Sequence, residues 1–292
     1  MSLSETDVKE IFNIAFDAAT ADEVALSMNW YHEVNREVVC GVTSVIRFSN
    51  SHIRDNTHVR PYYPLEIEVA FGDRVGHCIT NQLDENSIRE AVARAEAIAK
   101  ASTPRAGRHQ MAGPQTYPDI PGFDETTAKL TADERYEKVA GVIAHVQEEK
   151  LNGSGYFHVD DTLEAHANSA GLWFYRRATK TGYPVTVRSD GTMGRASSRV
   201  GSGWAGIGDL RRVADIDFDG ITATAIQKAK DSIDPQPFEM GQYTVILEPS
   251  VTASFVSLML GVWSGSARVV DQWGRPTSVG EPVASEVLTL TT

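Results

Sequence analysis

Residues 65–80 read LEIEVAFGDRVGHCIT, which contains two β-rich runs, residues 65–71 and 75–80, separated by a glycine and an aspartate. Because these two residue types punctuate strands at turns, each run is predicted to form a strand. A third β-rich run lies upstream, at residues 42–48. The region 23–80 is therefore predicted to be an antiparallel sheet.

Helix signals lie on both sides of this sheet. Ser4 with Asp7 three residues later is a helix-start signal, and Asp84 is a predicted N-cap. Apolar residues follow each signal at helical spacing, which predicts one helix up to about Ala19 and another over residues 88–100. The predicted buried stripes are Val8, Ile11, Phe12, Ala15, Phe16 and Ala19 in the first helix and Ile88, Ala91, Val92, Ala95 and Ile98 in the second. Residues 1–103 are thus predicted to form an N-terminal sheet-and-helix domain.

Residues 104–124 are rich in proline and glycine, which neither a helix nor a central strand tolerates, so they are predicted to be a linker. Residues 125–240 then show the same plan as the first domain. The predicted elements are a helix capped by Thr131 and Glu134 over residues 132–149, strands at 155–159, 163–167, 172–178 and 183–188, and a helix at 218–231. Residues 241–292 are predicted to begin a third, β-rich domain that is incomplete and opens with a strand at about residue 242. The predicted fold class is α+β, with two helix-flanked, mostly antiparallel sheet domains and the start of a third.

The composition excludes several classes of protein. The chain of 292 residues has a net charge of -12, which opposes binding to a phosphate backbone. No apolar run approaches the ~20 residues that a membrane span needs. The acidic N-terminal segment differs from a signal peptide, and the only cysteines, Cys40 and Cys78, suit two reduced thiols. A cytoplasmic protein that binds neither nucleic acid nor membrane is therefore predicted.

Two patterns resemble functional motifs, and each has a plainer interpretation. Gly201, Gly203 and Gly206 match the nucleotide-binding pattern G-x-G-x-x-G, but no apolar-periodic helix follows them, so a glycine-rich turn or sheet edge is the better interpretation. Metal-ligating residue types are densest between His158 and His166, where a turn at residues 160–161 would bring the two histidines together. The members of this cluster are His158, Asp160, Asp161, Glu164 and His166. Solvated polar groups of a hairpin are the better interpretation here.

Two short segments are candidates for contact with a peptide. Arg47-Phe-Ser-Asn50 places an arginine at the end of a predicted strand and an asparagine in the turn after it, which could present a donor and an amide to an extended chain. Asn168-Ser-Ala-Gly171 repeats that turn chemistry in the second domain. The alternative is that both asparagines satisfy tight hairpin turns. The candidate substrate-binding residues are Arg47, Phe48, Asn50, Asn168, Ser169 and Gly171.

Six segments, taken in order, resemble the TldD/PmbA family, also called TldD/TldE, of bacterial and archaeal peptidase subunits. They are RFSNS at 47–51, TNQLD at 80–84, ANSAG at 167–171, GSGWA at 201–205, AIQKA at 225–229 and GQYTVILEP at 241–249. The resemblance implies a cytoplasmic metallopeptidase system that acts on unfolded or small peptides. In such a system a metal-bearing subunit often pairs with a metal-free one.

The resemblance also indicates which kind of subunit this chain is. In the metal-bearing subunit, an H-E-x-x-x-H motif lies on the helix after the strand that is similar to residues 243–248, and a cysteine farther on completes the zinc site. The matching positions here are about Ser257, Leu258 and Val262, none of which can bind zinc or act as a general base. The resemblance therefore implies the metal-free TldE/PmbA-type subunit, with no cofactor of its own and with zinc in a partner subunit. Because the chain stops at Thr292, it resembles a C-terminally shortened member.

The predicted role is to bind a peptide substrate for proteolysis by a TldD-like, H-E-x-x-x-H subunit, in a dimer with that subunit or with a second copy. Edge strands near Arg47 to Asn50 would accept an extended peptide by β-augmentation. One alternative is a stand-alone peptide-binding or interaction protein without peptidase activity. Another is a self-sufficient hydrolase that uses His158, His166 and nearby carboxylates.

Overall fold

The computed structural model describes residues 3–28, 31–33, 36–38, 40–49, 52–55, 58–104, 111–189, 200–233, 235–263 and 285–287. The helices are α1 (Glu5–Ala18), α2 (Glu85–Ala101), α3 (Glu125–Ala128), α4 (Ala132–Glu148), α5 (Phe218–Asp231) and α6 (Pro249–Trp263). The strands are β1 (Glu23–Met28), β2 (Tyr31–Glu33), β3 (Arg36–Val38), β4 (Gly41–Ser49), β5 (His52–Asp55), β6 (His58–Tyr62), β7 (Leu65–Phe71), β8 (Arg74–Thr80), β9 (Asn152–Asn168), β10 (Trp173–Arg188) and β11 (Ser202–Leu210).

One antiparallel sheet runs through both predicted domains, with the strand order β11-β10-β9-β1-β7-β8. Strand β9 joins its two halves, because its first part pairs with β4 and its last part pairs with β1. Strands β5 and β6 extend the sheet on the other side of β4, and β2 pairs with β3 separately. The predicted α+β class with antiparallel strands is confirmed. The two predicted sheets are continuous with each other, since β9 belongs to both halves.

Two apolar cores lie on one face of this sheet. Helices α1 and α2 cover the first, where Phe12, Leu26 and Ile67 are almost completely buried. Helices α4 and α5 cover the second, around Phe157 and Tyr183. Each such side chain contributes roughly 1.5–3 kcal/mol by leaving water. Residues 1–235 form one compact unit, so the two cores stabilise halves of a single sheet.

The helix starts agree with the sequence. The Ser4 hydroxyl accepts a hydrogen bond from the backbone N–H of Asp7, whose carboxylate accepts one from the N–H of Ser4. Thr131 and Glu134 form the same reciprocal pair before α4. One predicted core position is wrong: Ile98 is 49% exposed. Its neighbour Glu96 is buried instead.

Residues 160–161 do not form the turn that would bring the two histidines together. They lie in the middle of β9, and the predicted strands 155–159 and 163–167 are parts of this one strand. The carboxylate of Asp161 accepts two hydrogen bonds from the guanidinium of Arg177 on the neighbouring strand. This ion pair gives the acidic group a partner within the sheet, and the backbone of residues 160–161 pairs with β4 and β10.

The proline- and glycine-rich segment is described from residue 111 onward, where it has no regular secondary structure but lies against β9 and β10. The side-chain amide of Asn168 donates to the carbonyl of Ala112, and the backbone N–H of Thr179 donates to the carbonyl of Gly122. Its role as a boundary between independently stable domains stays a prediction.

Residues 236–292 form a second compact unit. Helix α6 lies where an apolar helix was expected. The strand expected at residues 243–248 is absent among the described residues of this unit, and Val245 and Ile246 are exposed. An extended segment becomes a strand only by pairing with another, and the described residues of the unit supply no such neighbour. No helix in the described ranges is long and apolar enough to cross a bilayer.

Candidate functional site

The face of the sheet opposite the helices carries polar side chains. In a strand, alternate residues point to opposite faces, so the burial of Phe157, Leu163 and Ala165 against the helices places the even-numbered residues of β9 on the other face. These are Asn152, Ser154, Tyr156, His158, Asp160, Thr162, Glu164, His166 and Asn168. The same alternation places Ala25 and Ser27 of β1 on this face.

A cleft of about 590 Å³ lies on this polar face, and we call it the sheet-face cleft. Its floor is β1, because Ala25 and Ser27 have small side chains. Glu66, Glu68 and His77 line one side, from β7 and β8. The other side is lined by Glu164, His166 and Asn168 of β9, with Tyr117 and Phe174 at one end.

The strand register arranges these residues in two rows across the sheet. One row runs from β10 through β9 and β1 to β7 and consists of Phe174, His166, Ser27 and Glu66. The other row runs from β9 through β1 and β7 to β8 and consists of Asn168, Ala25, Glu68 and His77. Since neighbouring strands are about 4.8 Å apart, the two sides of the cleft are separated by about 10 Å at the backbone. This width suits one extended chain or one long side chain.

Hydrogen bonds fix the polar groups of the cleft. The hydroxyl of Ser27 donates to the carboxylate of Glu66 at 3.1 Å. His166 Nε2 and Glu164 Oε1 are 3.2 Å apart, and an N–H on that nitrogen donates to the carboxylate. This hydrogen bond lowers the pKa of Glu164 below its ordinary value, against the opposing effect of partial burial. Glu164 is therefore an anion in the neutral pH range.

Aromatic rings close one end of the cleft. The ring of Tyr117, from the proline- and glycine-rich segment, packs edge-on against Phe174 with centroids 4.8 Å apart. The imidazole of His166 lies 5.9 Å from the same phenyl ring. The cleft therefore combines an apolar, aromatic end with acidic sides.

In the first predicted peptide-contact segment, residues 47–50, only some side chains are accessible to a peptide. Arg47 is exposed, with its guanidinium 5.9 Å from the ring of Tyr156. Phe48 is 5% exposed and stacks on Tyr183, so it is a core residue that a peptide does not reach. Asn50 lies outside the described residues.

Strand β4, which carries Arg47 and Phe48, is also not an edge strand. Arg47 lies opposite Tyr156 of β9 on one side and Arg54 of β5 on the other. The backbone groups of β4 are used by these neighbours, so β-augmentation near this segment would have to use β5, which among the described strands pairs with β4 alone, and it stays a prediction.

The second segment forms the turn between β9 and β10. The side-chain oxygen of Asn168 accepts hydrogen bonds from the backbone N–H groups of Ala170 and Leu172. Gly171 has φ of +94°, which favours glycine. The Ser169 hydroxyl accepts from the backbone N–H of Val24. These residues build the turn, and of the three predicted sites here only Asn168 lines the cleft.

Three solved structures are similar to this chain. TldE from Thermococcus kodakarensis superposes with a TM-score of 0.58 at 18% identity, over 77% of this chain and 47% of that one. The chain has the TldE fold. A protein from Thermotoga maritima, described as a candidate modulator of a DNA gyrase, gives 0.61 at 15% identity, over 81% of this chain and 50% of that one. A candidate modulator of DNA gyrase from Bacteroides thetaiotaomicron gives 0.66 at 14% identity, over 90% and 57%.

The chain thus spans about half the length of the solved structures with the TldE fold that it matches. No protein-family profile and no curated protein sequence matches it. The family expectation from the sequence is confirmed at the level of the fold.

The residues of this chain do not fit a zinc site at the position where the resemblance places one in the metal-bearing subunit. Helix α6 contains neither histidine, cysteine, aspartate nor glutamate, and Ser257 and Leu258 stand where ligands would be needed. His158 and His166 lie eight residues apart on one strand, which separates them by about 26 Å. Throughout the described ranges, no three His, Cys, Asp or Glu residues are grouped so as to hold a metal.

Gly201 and Gly203 have a packing role, as the plainer interpretation held. A Cβ on Gly203 would lie 2.1 Å from the carbonyl oxygen of Ala225 in α5, and one on Gly201 would meet Ala229 equally closely. Glycine at these positions lets the backbone at the start of β11 lie directly against the backbone of α5. They form part of a sheet edge and do not open a nucleotide-binding helix.

Sequence reasoning did not single out Glu66, Glu68, His77, Tyr117 or Phe174. The alternation of glutamate with apolar residues in LEIEVAF was a signal that both glutamates lie on the polar face. No sequence signal placed them opposite His166, because that depends on the pairing of β1 with both β7 and β9.

Proposed function

We propose that this chain is the metal-free subunit of a TldD-type peptidase system, which binds a peptide for cleavage by an H-E-x-x-x-H subunit. The observation that carries the proposal is the sheet-face cleft in a chain with the TldE fold. The alternative of a stand-alone peptide-binding protein shares the cleft and differs only in the absence of a proteolytic partner.

The size and chemistry of the cleft support peptide binding. Its width of about 10 Å between the backbones of β7 and β9 accommodates one extended chain over the small side chains of Ala25 and Ser27. Carboxylates and an amide along its sides supply acceptors and donors for peptide groups. The aromatic pair of Tyr117 and Phe174 supplies an apolar contact at one end. This combination of apolar surface with a few polar groups is typical of ligand sites.

The absence of zinc-ligand residue types from α6 supports a role in binding peptide and not in cutting it. Cleavage by a zinc peptidase needs bound metal to activate water and a general base to take its proton. The side chains of α6 supply neither. A metal-bearing subunit would therefore perform the chemistry.

The second compact unit supports a partner. Phe255 and Leu258 of α6 are 56% and 63% exposed, and Ile246 before the helix is 95% exposed. Large apolar side chains grouped on a surface mark protein–protein contacts. We propose that this unit contacts the metal-bearing subunit.

The experiment uses the purified chain, a TldD-type subunit with the H-E-x-x-x-H motif, and a pentapeptide labelled with a fluorophore. Fluorescence anisotropy measures binding to this chain alone, and product formation measures cleavage by each subunit and by the mixture. We expect binding without cleavage by this chain and faster cleavage by the mixture than by the metal-bearing subunit alone. A TldD-type subunit with its motif glutamate replaced by glutamine is the control for cleavage.

Cleavage by this chain alone would overturn the proposal. Peptide binding without any effect on the metal-bearing subunit would favour the stand-alone alternative. Failure to bind any peptide would exclude both.

A further inference from the structure

We infer that the sheet-face cleft selects peptides by a positively charged group, an ammonium or a guanidinium. The inference rests on the peptide-binding function proposed above and names the class of peptide. It follows from the charge of the cleft, from the way each carboxylate is paired, and from the position of the aromatic end.

The cleft is acidic. Glu66, Glu68 and Glu164 line it, and none of its described lining residues is lysine or arginine. The whole chain carries a net charge of -12, which adds to the negative potential at the cleft. A cleft lined by one sign of charge concentrates ligands of the opposite sign.

The three carboxylates differ in how far their charge is already offset. Glu164 has His166 at hydrogen-bond distance and lies opposite Arg176 of β10. Glu66 accepts its hydrogen bond from Ser27, a neutral hydroxyl. Glu68 forms no ion pair within the described part of the chain; it lies opposite Ala25 of β1 on one side and opposite His77 of β8 on the other. Among the described residues, neither Glu66 nor Glu68 has a lysine or arginine as its ion-pair partner.

Glu66 and Glu68 are also close to each other. They are two residues apart on one face of β7, about 7 Å along the strand. Two carboxylates at this distance repel each other, and a cation placed between them removes the repulsion. The pair thus forms a site for a single positive charge.

The aromatic end favours a cation on a long apolar stem. Phe174 lies three strands away from Glu66 in the same cross-strand row, about 14 Å at the backbone. The methylene stem of a lysine or arginine packs on apolar surface while its charged head reaches a carboxylate. A peptide whose backbone lies over Ala25 and Ser27 could therefore direct such a side chain to Glu66, which neighbours Ser27, while an apolar group of the peptide reaches toward Phe174. A free peptide α-amine supplies the same charge without the stem.

The test measures the affinity of labelled peptides by fluorescence anisotropy. The probes are alanine pentapeptides with lysine, norleucine or glutamate at the centre, each with a free and with an acetylated N-terminus. We expect the lysine peptide to bind about tenfold more tightly than its norleucine counterpart, a difference of about 1.4 kcal/mol. If acetylation alone produces the loss, the charge is the α-amine; if the change to norleucine produces it, the charge is the side chain.

Two variants locate the effect. In Glu66→Gln/Glu68→Gln the ratio of the affinities for the lysine and the norleucine peptide should fall from about ten to about one, whatever the affinity of the variant for either peptide alone. The matched control is Glu10→Gln/Glu137→Gln, which removes two exposed carboxylates from α1 and α4 and should retain the preference. Circular dichroism checks that both variants are folded.

The outcomes separate the inference from the proposed function. Equal binding of charged and uncharged peptides would overturn the inference and leave peptide binding intact. The same applies if both double variants lose the preference equally, because the effect would then come from net charge. If no peptide binds, the proposed function itself fails.

Discussion

The helix-covered face of the sheet holds two apolar cores, whereas the opposite face of the same strands carries glutamates and histidines. Strand β7 shows the contrast within seven residues, since Leu65, Ile67 and Val69 are completely buried while Glu66 and Glu68 line the cleft. The three apolar side chains pack inside the first core. The two glutamates form no ion pair with the residues that the structure describes. The comparison indicates that one face stabilises the fold and the other is available for a ligand.

The largest difference between the faces should appear in stability. Phe157 on the helix-covered face is fully buried and packs edge-on against Phe218, with centroids 5.1 Å apart. Phe157→Ala should lower the free energy of unfolding by about 3–5 kcal/mol, because it removes apolar contacts and leaves a cavity. Urea denaturation followed by circular dichroism measures this change. A loss below about 1 kcal/mol would mean that the second core is not packed as described.

A buried carboxylate on the helix-covered side should show an intermediate effect. Glu96 accepts hydrogen bonds from the backbone N–H groups of Thr20 and Ala21 and from the Thr20 hydroxyl. Burial raises its pKa, but these hydrogen bonds outweigh burial and lower the pKa below the ordinary value. Glu96→Ala should cost about 1–3 kcal/mol of stability, because it removes three hydrogen bonds to a charged, buried acceptor.

The pH dependence of Glu96 follows from the direction of its shift. Because the folded-state pKa is lowered, the stabilisation is fully present above the unfolded value of about 4.3 and is lost as pH falls through the folded value. The wild type should therefore lose stability in that acidic range more steeply than Glu96→Gln. Urea midpoints at neutral and acidic pH measure the difference. Parallel pH profiles for the two proteins would show that Glu96 is not held as described.

The proline- and glycine-rich segment contributes to the polar face, since its Tyr117 lines the sheet-face cleft. Asn168→Ala removes the hydrogen bonds to Ala112, Ala170 and Leu172. We expect a loss of about 1–2 kcal/mol and faster cleavage within residues 104–124 in limited proteolysis, where cuts should also occur first in the wild type. Cleavage that starts instead within residues 42–80 would contradict the predicted boundary.

The smallest stability effect should come from the polar face. Glu66→Gln/Glu68→Gln should change the free energy of unfolding by no more than about 0.5 kcal/mol, since neither carboxylate forms an ion pair in the described ranges. Thermal unfolding measures it beside Phe157→Ala. A loss comparable to that of the core variant would identify both glutamates as structural residues.

Local signals predicted the helices well and the site poorly. The capping pairs of Ser4 with Asp7 and of Thr131 with Glu134 are contacts within four residues, so the sequence contains all the information they need. The uninterrupted course of β9 involves pairing with β4, more than a hundred residues upstream, and with β10. The cleft depends on β1 pairing with β7 and with β9, more than a hundred residues downstream. Such register is set by the whole sheet and not by any segment of it.

Peptide binding without metal is the property that would distinguish this chain from the peptidase subunit it is proposed to serve. The direct measurement is a titration of the labelled lysine pentapeptide with the purified chain, before and after dialysis against a metal chelator. We predict the same saturable binding curve in both cases, because the cleft presents its own carboxylates and aromatic rings to the peptide. Loss of binding after dialysis and its recovery on adding zinc would contradict the proposal and would identify the chain as a metal-dependent subunit.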